Sequence, residues 1–591
     1  MTPASAAPLR ILAAAAALVV CRTAGAAGTP PGGLAGGSPI DTAASCKSCH
    51  GGSLSDTGTM YMPWDTWAGS MMANAARDPL FLASLTVAEQ DHPGSGSFCL
   101  RCHTPSAYVG SRTMPGNGSA LNDVDKEGVQ CAVCHRSIDG SQPPTSDANA
   151  PYIGDAQLYF DVGSPYSATY RGPYDDSSSS VHDVIVDPFV SGDDSRLCGQ
   201  CHQVDNPLEH LYDAGGQDTG KPFPLDTTYE EWQQSSYASG AGAKSCQSCH
   251  MPAEVGFYGV GSGGGNRENP ARHDFVGGND WGPALLKAAF PGLRDDQYDY
   301  TRAAAQANLR AAAKLEIKAL PAQGPAGGKV TAAVRVTNLA GHKFPTGYAD
   351  GRRAWIELAV VDGTGAAAVQ SGAYDAATGV LAEDAQLRLY EAVHGRDGSP
   401  EDHIALHRQI LRDSRIPPAG FRSTPATKPV GPLSFSDGAG GVNAFDDAGL
   451  QVALPATPGA DVTVRVRLFY QAMTASHVAA LAAANTTDDR GTKLMQLWTQ
   501  TGGATPFLMA EVTQTVHVGA ADADGGTDAG ADASLTGGGG SGGGCGCATT
   551  PGRANGALAL IAIVLAGAVS RRRVRRRRNE RPGTSGGRPF C

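Results

Sequence analysis

"SCQSCHMP", residues 245–252, sets Cys246 and Cys249 on either side of two polar residues, with His250 directly after. The same five-residue pattern, Cys-x-x-Cys-His, occurs four more times. It appears as "CKSCH" (Cys46, Cys49, His50), "CLRCH" (Cys99, Cys102, His103), "CAVCH" (Cys131, Cys134, His135) and "CGQCH" (Cys198, Cys201, His202). With 14 Cys and 15 His in 591 residues, chance placement yields roughly 0.01 such pentapeptides. The repeat is therefore a signal, and it consumes ten of the cysteines.

A Cys-x-x-Cys unit has three common fates. A redox disulfide needs one such unit in a thioredoxin-like βαβ setting, not five. Zinc takes two Cys pairs, or Cys and His at wider spacing. Neither requires a His straight after the second Cys in every copy. Covalent c-type haem does. The two thiols add to the porphyrin vinyl groups, and the adjacent His ligates the iron. The pattern thus predicts five covalently attached c-type haems, with the ten Cys as anchors and His50, His103, His135, His202 and His250 as proximal ligands. Met251 follows its proximal ligand too closely to reach the opposite face of the same haem.

The rest of the chain agrees with export and with a core that side chains alone do not fill. Arg10 and the apolar run Ile11 to Val20, followed by Ala24-Gly25-Ala26, read as a signal peptide over residues 1–26. Cys21 raises a lipoprotein signal as the alternative, which the bulky Val20 before it fits poorly. Residues 27–298 are rich in Gly, Ser, Asp and Pro. The formal net charge of −11 argues against nucleic-acid binding. Residues 299–317 are Ala-rich and predict a connecting helix. Residues 318–518 alternate in short runs such as "KVTAAVRVTN" and "DVTVRVRLFYQA", which predicts an antiparallel β-sandwich domain. The expected fold is a mainly α and irregular multihaem cytochrome domain followed by that sandwich. His394, His403, His407, His477 and His517 lie in it without a Cys or carboxylate cluster of ligand spacing, and are read as structural or exposed.

The C-terminus is built differently. Residues 519–544 form a Gly- and Asp-rich linker. Residues 545–578 carry Cys545 and Cys547, the apolar run 556–570 and the block "RRRVRRRR". Residues 579–591 read as a disordered tail. The order of Cys motif, short hydrophobic segment and Arg cluster resembles the myxobacterial C-terminal sorting signal. That resemblance implies cleavage near the Cys motif and display on the cell surface; the expected location is the periplasm, outer membrane or cell surface, with membrane anchoring through this segment before or after processing. A plain membrane tail is the alternative.

Each iron takes or lacks a sixth ligand. The segments "WAGSMMA" (67–73) and "WQQSSYA" (232–238) align as W-x-x-S-x-[M/Y]-A, each read as a helix start. With "CHMP", "HDFVGGN" and "GHKFPTG", they make residues 40 to 350 resemble the multihaem cytochrome c552/c554 group, related to hydroxylamine-oxidoreductase-type cytochromes. In that group a W-x-x-S-x-H-A segment often supplies a distal His. Here Met72 and Tyr237 replace it. The resemblance favours His273 and His342 as distal ligands. His182, Met72 and His92 follow, and His210 ranks last as a surface residue. If all five bind, the chain carries electrons to redox partner proteins or an extracellular acceptor. If one fails, an open iron could act on a small nitrogen or sulfur compound. Pentahaem nitrite reductases usually carry one Cys-x-x-Cys-Lys motif, and no copy here does.

Overall fold

Proline marks where helices begin in the first three hundred residues. The computed structural model describes residues 40–139, 153–160, 169–177, 181–190, 194–262 and 265–521. In it, Pro63, Pro79, Pro105 and Pro283 stand at the first or second position of the helices Pro63–Ala68, Pro79–Asp91, Pro105–Val109 and Gly282–Ala289. A proline is harmless there, because the first-turn N–H groups have no intrahelical acceptor. Between the helices lie small two-stranded sheets: Ser137–Ile138 with Tyr159–Phe160, Thr169–Gly172 with Asp183–Val186, Val204–Tyr212 with Asp218–Asp226, and Phe257–Gly259 with Asn266–Glu268. Apolar packing here is thin. One buried cluster gathers Ile40, Ala132, Val133, Ala156, Leu158 and Phe160, and another Ala43, Trp64, Trp67, Ala68 and Ala73.

The expected connecting helix is displaced. It runs Asp295–Ala312, and the strand Ala313–Ala319 takes the last residues of the predicted span. Two forces set these ends. Asp295 and Asp296 complement the helix N-terminus. Beyond Ala312, the alternating "AKLEIKA" pairs with Lys329–Asn338, Leu315 opposite Val336. The helix is also more than a connector, since Tyr298, Thr301, Ala305 and Leu309 are buried.

From Ala313 on, alternation becomes sheet. Lys329–Asn338 pairs with Phe445–Ala453 and Ala313–Ala319 in a three-stranded sheet. A second sheet is built around Arg353–Val361 and Asp461–Gln471, with Ile356 opposite Leu468. Its strand Phe507–Gly519 runs antiparallel to Asp461–Gln471 and parallel to the edge strand Gln323–Pro325. Val330, Ala332, Val334 and Val336 from the first sheet share one core with Ile356, Leu358, Val464 and Leu468 from the second. Two helices, Ala475–Ala484 and Arg490–Thr501, interrupt the run of strands and pack on Pro79–Asp91.

The described residues fall within one compact unit, and the expected boundary at 298 lies inside the helix Asp295–Ala312. Among the described residues no helix is long and apolar enough to cross a membrane. The predicted signal peptide, the linker beyond residue 521, the Cys545/Cys547 motif, the apolar run, the Arg cluster and the tail lie outside the described residues.

Candidate haem-binding sites

All five motifs fold the same way: each is the last turn of a short helix that ends on its His. The helices are Ala43–His50, Gly96–His103, Cys131–His135, Arg196–His202 and Cys246–His250. Residues three apart share one helix face, so both thiols of a motif project together and the His follows them. None of the ten Cys is bonded to another, and none is fully buried. Free Cys is ordinarily among the most buried residue types. The half-open thiols and the equally half-exposed motif histidines suit surfaces that a covalently attached porphyrin would cover.

The other ring nitrogen of each motif His is held in place. Nδ1 meets the carbonyl of Val260 for His50 (2.6 Å), Ala75 for His103 (3.2 Å), Arg171 for His135 (2.6 Å) and Val276 for His250 (2.7 Å). A carbonyl can only accept, so Nδ1 carries the proton and Nε2 presents its lone pair, as an iron ligand must. His202 differs, with Nδ1 3.7 Å from the Asp226 carboxylate. Burial pushes the His202 imidazolium down, but Asp226 more than reverses this, so its pKa is raised. Desolvation takes His103 and His250 down to about 4, the ring of His342 contributing at His250. Phe81 stacks on the His103 ring, centroids 3.6 Å apart, and fixes its plane.

Two of the histidines ranked highest as distal ligands face motif histidines. The rings of His135 and His273 lie 6.1 Å apart at 23°, and those of His250 and His342 lie 6.3 Å apart at 21°. A metal bound by one nitrogen of each ring, with bonds of roughly 2 Å, sets ring centres about this far apart. The other candidates are not seen in such pairs. His182 packs against Tyr170, centroids 4.8 Å apart, within electrostatic reach of His135. His92 caps the helix Pro79–Asp91, its Nε2 buried and without a hydrogen bond. Met72 uses its carbonyl to accept the N–H of Val129, just before the third motif. The turn that brings these segments together needs Gly128, whose φ is +67° and where a Cβ would sit 2.4 Å from the Met72 oxygen. His210 is exposed and pairs with Asp218, as ranked.

The W-x-x-S segments are helix ends, not helix starts. Trp67 and Trp232 stand in the last turns of Pro63–Ala68 and Thr228–Gln233. The following Ser hydroxyl then accepts a backbone N–H, from Ala73 at Ser70 and from Tyr237 at Ser235. Tyr237 donates its hydroxyl to the Leu339 carbonyl (3.1 Å).

The motifs also touch one another. The thiol of Cys46 lies close to that of Cys131, Cys102 to Cys201, and Cys198 to Cys246. Cys134 lies in the field of Cys198. The first, third, fourth and fifth motifs thus form a contiguous series, with the second set against the fourth.

A buried charge network beside His342 was not foreseen. Lys343, fully buried, donates to Asp413 (2.6 Å), which also takes two hydrogen bonds from Arg415 (2.8 Å each). Arg415 reaches Glu231 (3.0 Å), on the helix Thr228–Gln233, and Glu231 accepts the Lys343 N–H (3.1 Å). The Lys343 carbonyl meets His342 Nδ1 at 3.0 Å. The network ties the motif region to the β region and orients His342 from behind. Its one sequence signal is Lys343 within "GHKFPTG".

No family model and no curated protein matches this chain. Among solved structures it is similar to the crystal structure of a penta-heme cytochrome c552 from Thermochromatium tepidum. The identity is 18%, the TM-score 0.47, and the match covers 81% of this chain and 99% of that one.

Proposed function

We propose that the chain is an exported pentahaem c-type cytochrome that passes electrons along its five motifs at the cell envelope or surface. The β region is read as a sandwich clamped on the haem-bearing part. The observation that carries the reading is the opposed ring pairs, His135 with His273 and His250 with His342. Haems bound at the motifs would supply one-electron iron couples within tunnelling reach of one another. The chain's own residues do the rest. The ten Cys anchor, and Nε2 of each motif His ligates. Carbonyls 75, 171, 260 and 276 hold four of the rings in the ligating tautomer. Asp226 behind His202 makes that imidazole more basic, which favours the oxidised metal at that motif. The inter-motif thiol contacts support a series in which the fourth motif meets the second, third and fifth.

A second reading has its own support. Among the described residues, the rings of His50, His103 and His202 face no other His ring across a metal's width. An open position at one of them would suit an oxidoreductase acting on a small nitrogen or sulfur compound.

One experiment tests both. Pyridine haemochrome analysis of the mature protein is expected to show five haems per chain, and fewer than four sinks the proposal. Electron paramagnetic resonance then separates the readings: a wholly low-spin spectrum supports the carrier, a high-spin component the enzyme. His342→Ala should convert one low-spin centre to high spin and shift its potential by on the order of 0.1 V, within the range axial ligands set.

A further inference from the structure

Far from the motifs in sequence, three side chains of the β region meet in a way that ordinary core packing does not explain. Asp350, His394 and His407 are 6%, 6% and 0% exposed. One ligand atom from each lies within 4.8 Å of the other two. Asp350 Oδ2 is 2.7 Å from His394 Nδ1 and 3.8 Å from His407 Nδ1. Yet none of these three atoms has a well-directed hydrogen bond. Buried polar atoms are nearly always satisfied, so three orphans converging on one point call for a partner there.

The surrounding bonds fix which way each group faces. His407 Nε2 lies 2.8 Å from the Glu401 carbonyl. That nitrogen must carry a proton, and in the neutral imidazole this leaves the Nδ1 lone pair turned toward a carboxylate oxygen. Two lone-pair donors facing each other in a buried site repel unless a cation lies between them. Asp350 is braced in turn. Its Oδ1 accepts the backbone N–H of His394 (3.2 Å). Metal ligands typically carry such outer partners. Phe223, from the hairpin Val204–Tyr212 and Asp218–Asp226, closes the site edge-on. Its ring centre lies 5.0 Å from that of His394 and 5.8 Å from that of His407.

We propose that Asp350, His394 and His407 bind one divalent transition-metal ion, of which Zn²⁺ is the type. Two imidazoles and a carboxylate suit that class and not Ca²⁺ or Mg²⁺, which take oxygen. Three protein ligands leave one position for a further group. The expectation that the histidines of this region lack a carboxylate partner is thereby corrected for His394 and His407. The carboxylate stands 44 residues before His394, and only the sheet brings it there. His403, by contrast, pairs with Asp91 and His517 with Asp461.

The test uses the full haem-loaded chain, purified without chelators. Elemental analysis should find about one non-haem divalent metal per chain. Asp350→Asn and His407→Ala should retain roughly a tenth or less, while His517→Ala retains all of it and haem content is unchanged in each. Because a buried substitution can unfold the chain, wild type is also stripped with EDTA and given Zn²⁺ alone. The melting temperature should fall and recover, and X-ray absorption at the zinc edge should show nitrogen and oxygen neighbours at roughly 2.0–2.2 Å. No zinc uptake, zinc retained by both ligand variants, or a sulfur shell from zinc on the motif cysteines would each overturn the proposal.

Discussion

The two halves of this molecule are held together by different physics. From Ala313 onward, alternating strands turn one face of each sheet into a large apolar core that runs to Val518 and also takes in Ala83, Trp281 and Leu285 of the first half. Between residues 40 and 298, the apolar clusters hold five or six buried residues each, and all ten motif cysteines stay partly open. Burial of apolar surface at about 25 cal/mol per Å² can stabilise the first kind of structure without help. In the second, apolar side chains gather in smaller separate clusters, and on the reading above its cofactors complete it. If the proposal holds, the contrast teaches that a sequence poor in periodic hydrophobics can fold around a core that arrives covalently.

The strongest way to break that comparison is to remove one cofactor anchor. Cys131→Ser with Cys134→Ser should lose one haem of five by pyridine haemochrome. Limited proteolysis should then cut within residues 40–298 and spare the strands from 313 to 518. A motif region that stays protease-resistant would mean its own side chains suffice. The next largest effect is expected at the seam. Lys343→Met leaves Asp413 short of a partner beside Arg415 and should cost about 3–5 kcal/mol in denaturant unfolding, with a changed spectrum for the centre that the proposal assigns to His342. A smaller effect is expected inside the β core. Leu468, fully buried opposite Ile356, should cost about 3 kcal/mol as Leu468→Ala and leave the haem spectrum alone. A spectral change there would show that the halves share more than a seam. The smallest is Tyr237→Phe. It removes one exposed-edge hydrogen bond to Leu339 and should cost about 0.5 kcal/mol, with no spectral change.

Legibility followed the range of the forces involved. The Cys-x-x-Cys-His motifs, the strands at 329–338, 353–361 and 461–471 and the weak W-x-x-S repeat all rest on neighbours a few residues apart, and the sequence displays them directly, although the motifs read as loops and fold as helix ends. The helix at 295–312 was misplaced because Ala-rich propensity runs past Ala312, while pairing with Lys329–Asn338 decides where helix yields to strand. The W-x-x-S segments read as helix starts because propensity says nothing of direction, and the Ser hydroxyls turned out to serve the turns that follow. The helices 475–484 and 490–501 went unread within an otherwise β pattern.

By itself, the sequence determined the five Cys-x-x-Cys-His motifs, since each holds its three side chains within five residues. It also determined the alternation that makes the β region a sheet. Only the tertiary structure decided which histidines face one another across a metal's width, which motifs adjoin, and where Glu231, Lys343, Asp413 and Arg415 meet. It alone brought Asp350 to His394 and His407. These are encounters between residues tens to hundreds of positions apart, set by sheet register and by the docking of the hairpin 204–226, and no local pattern records them.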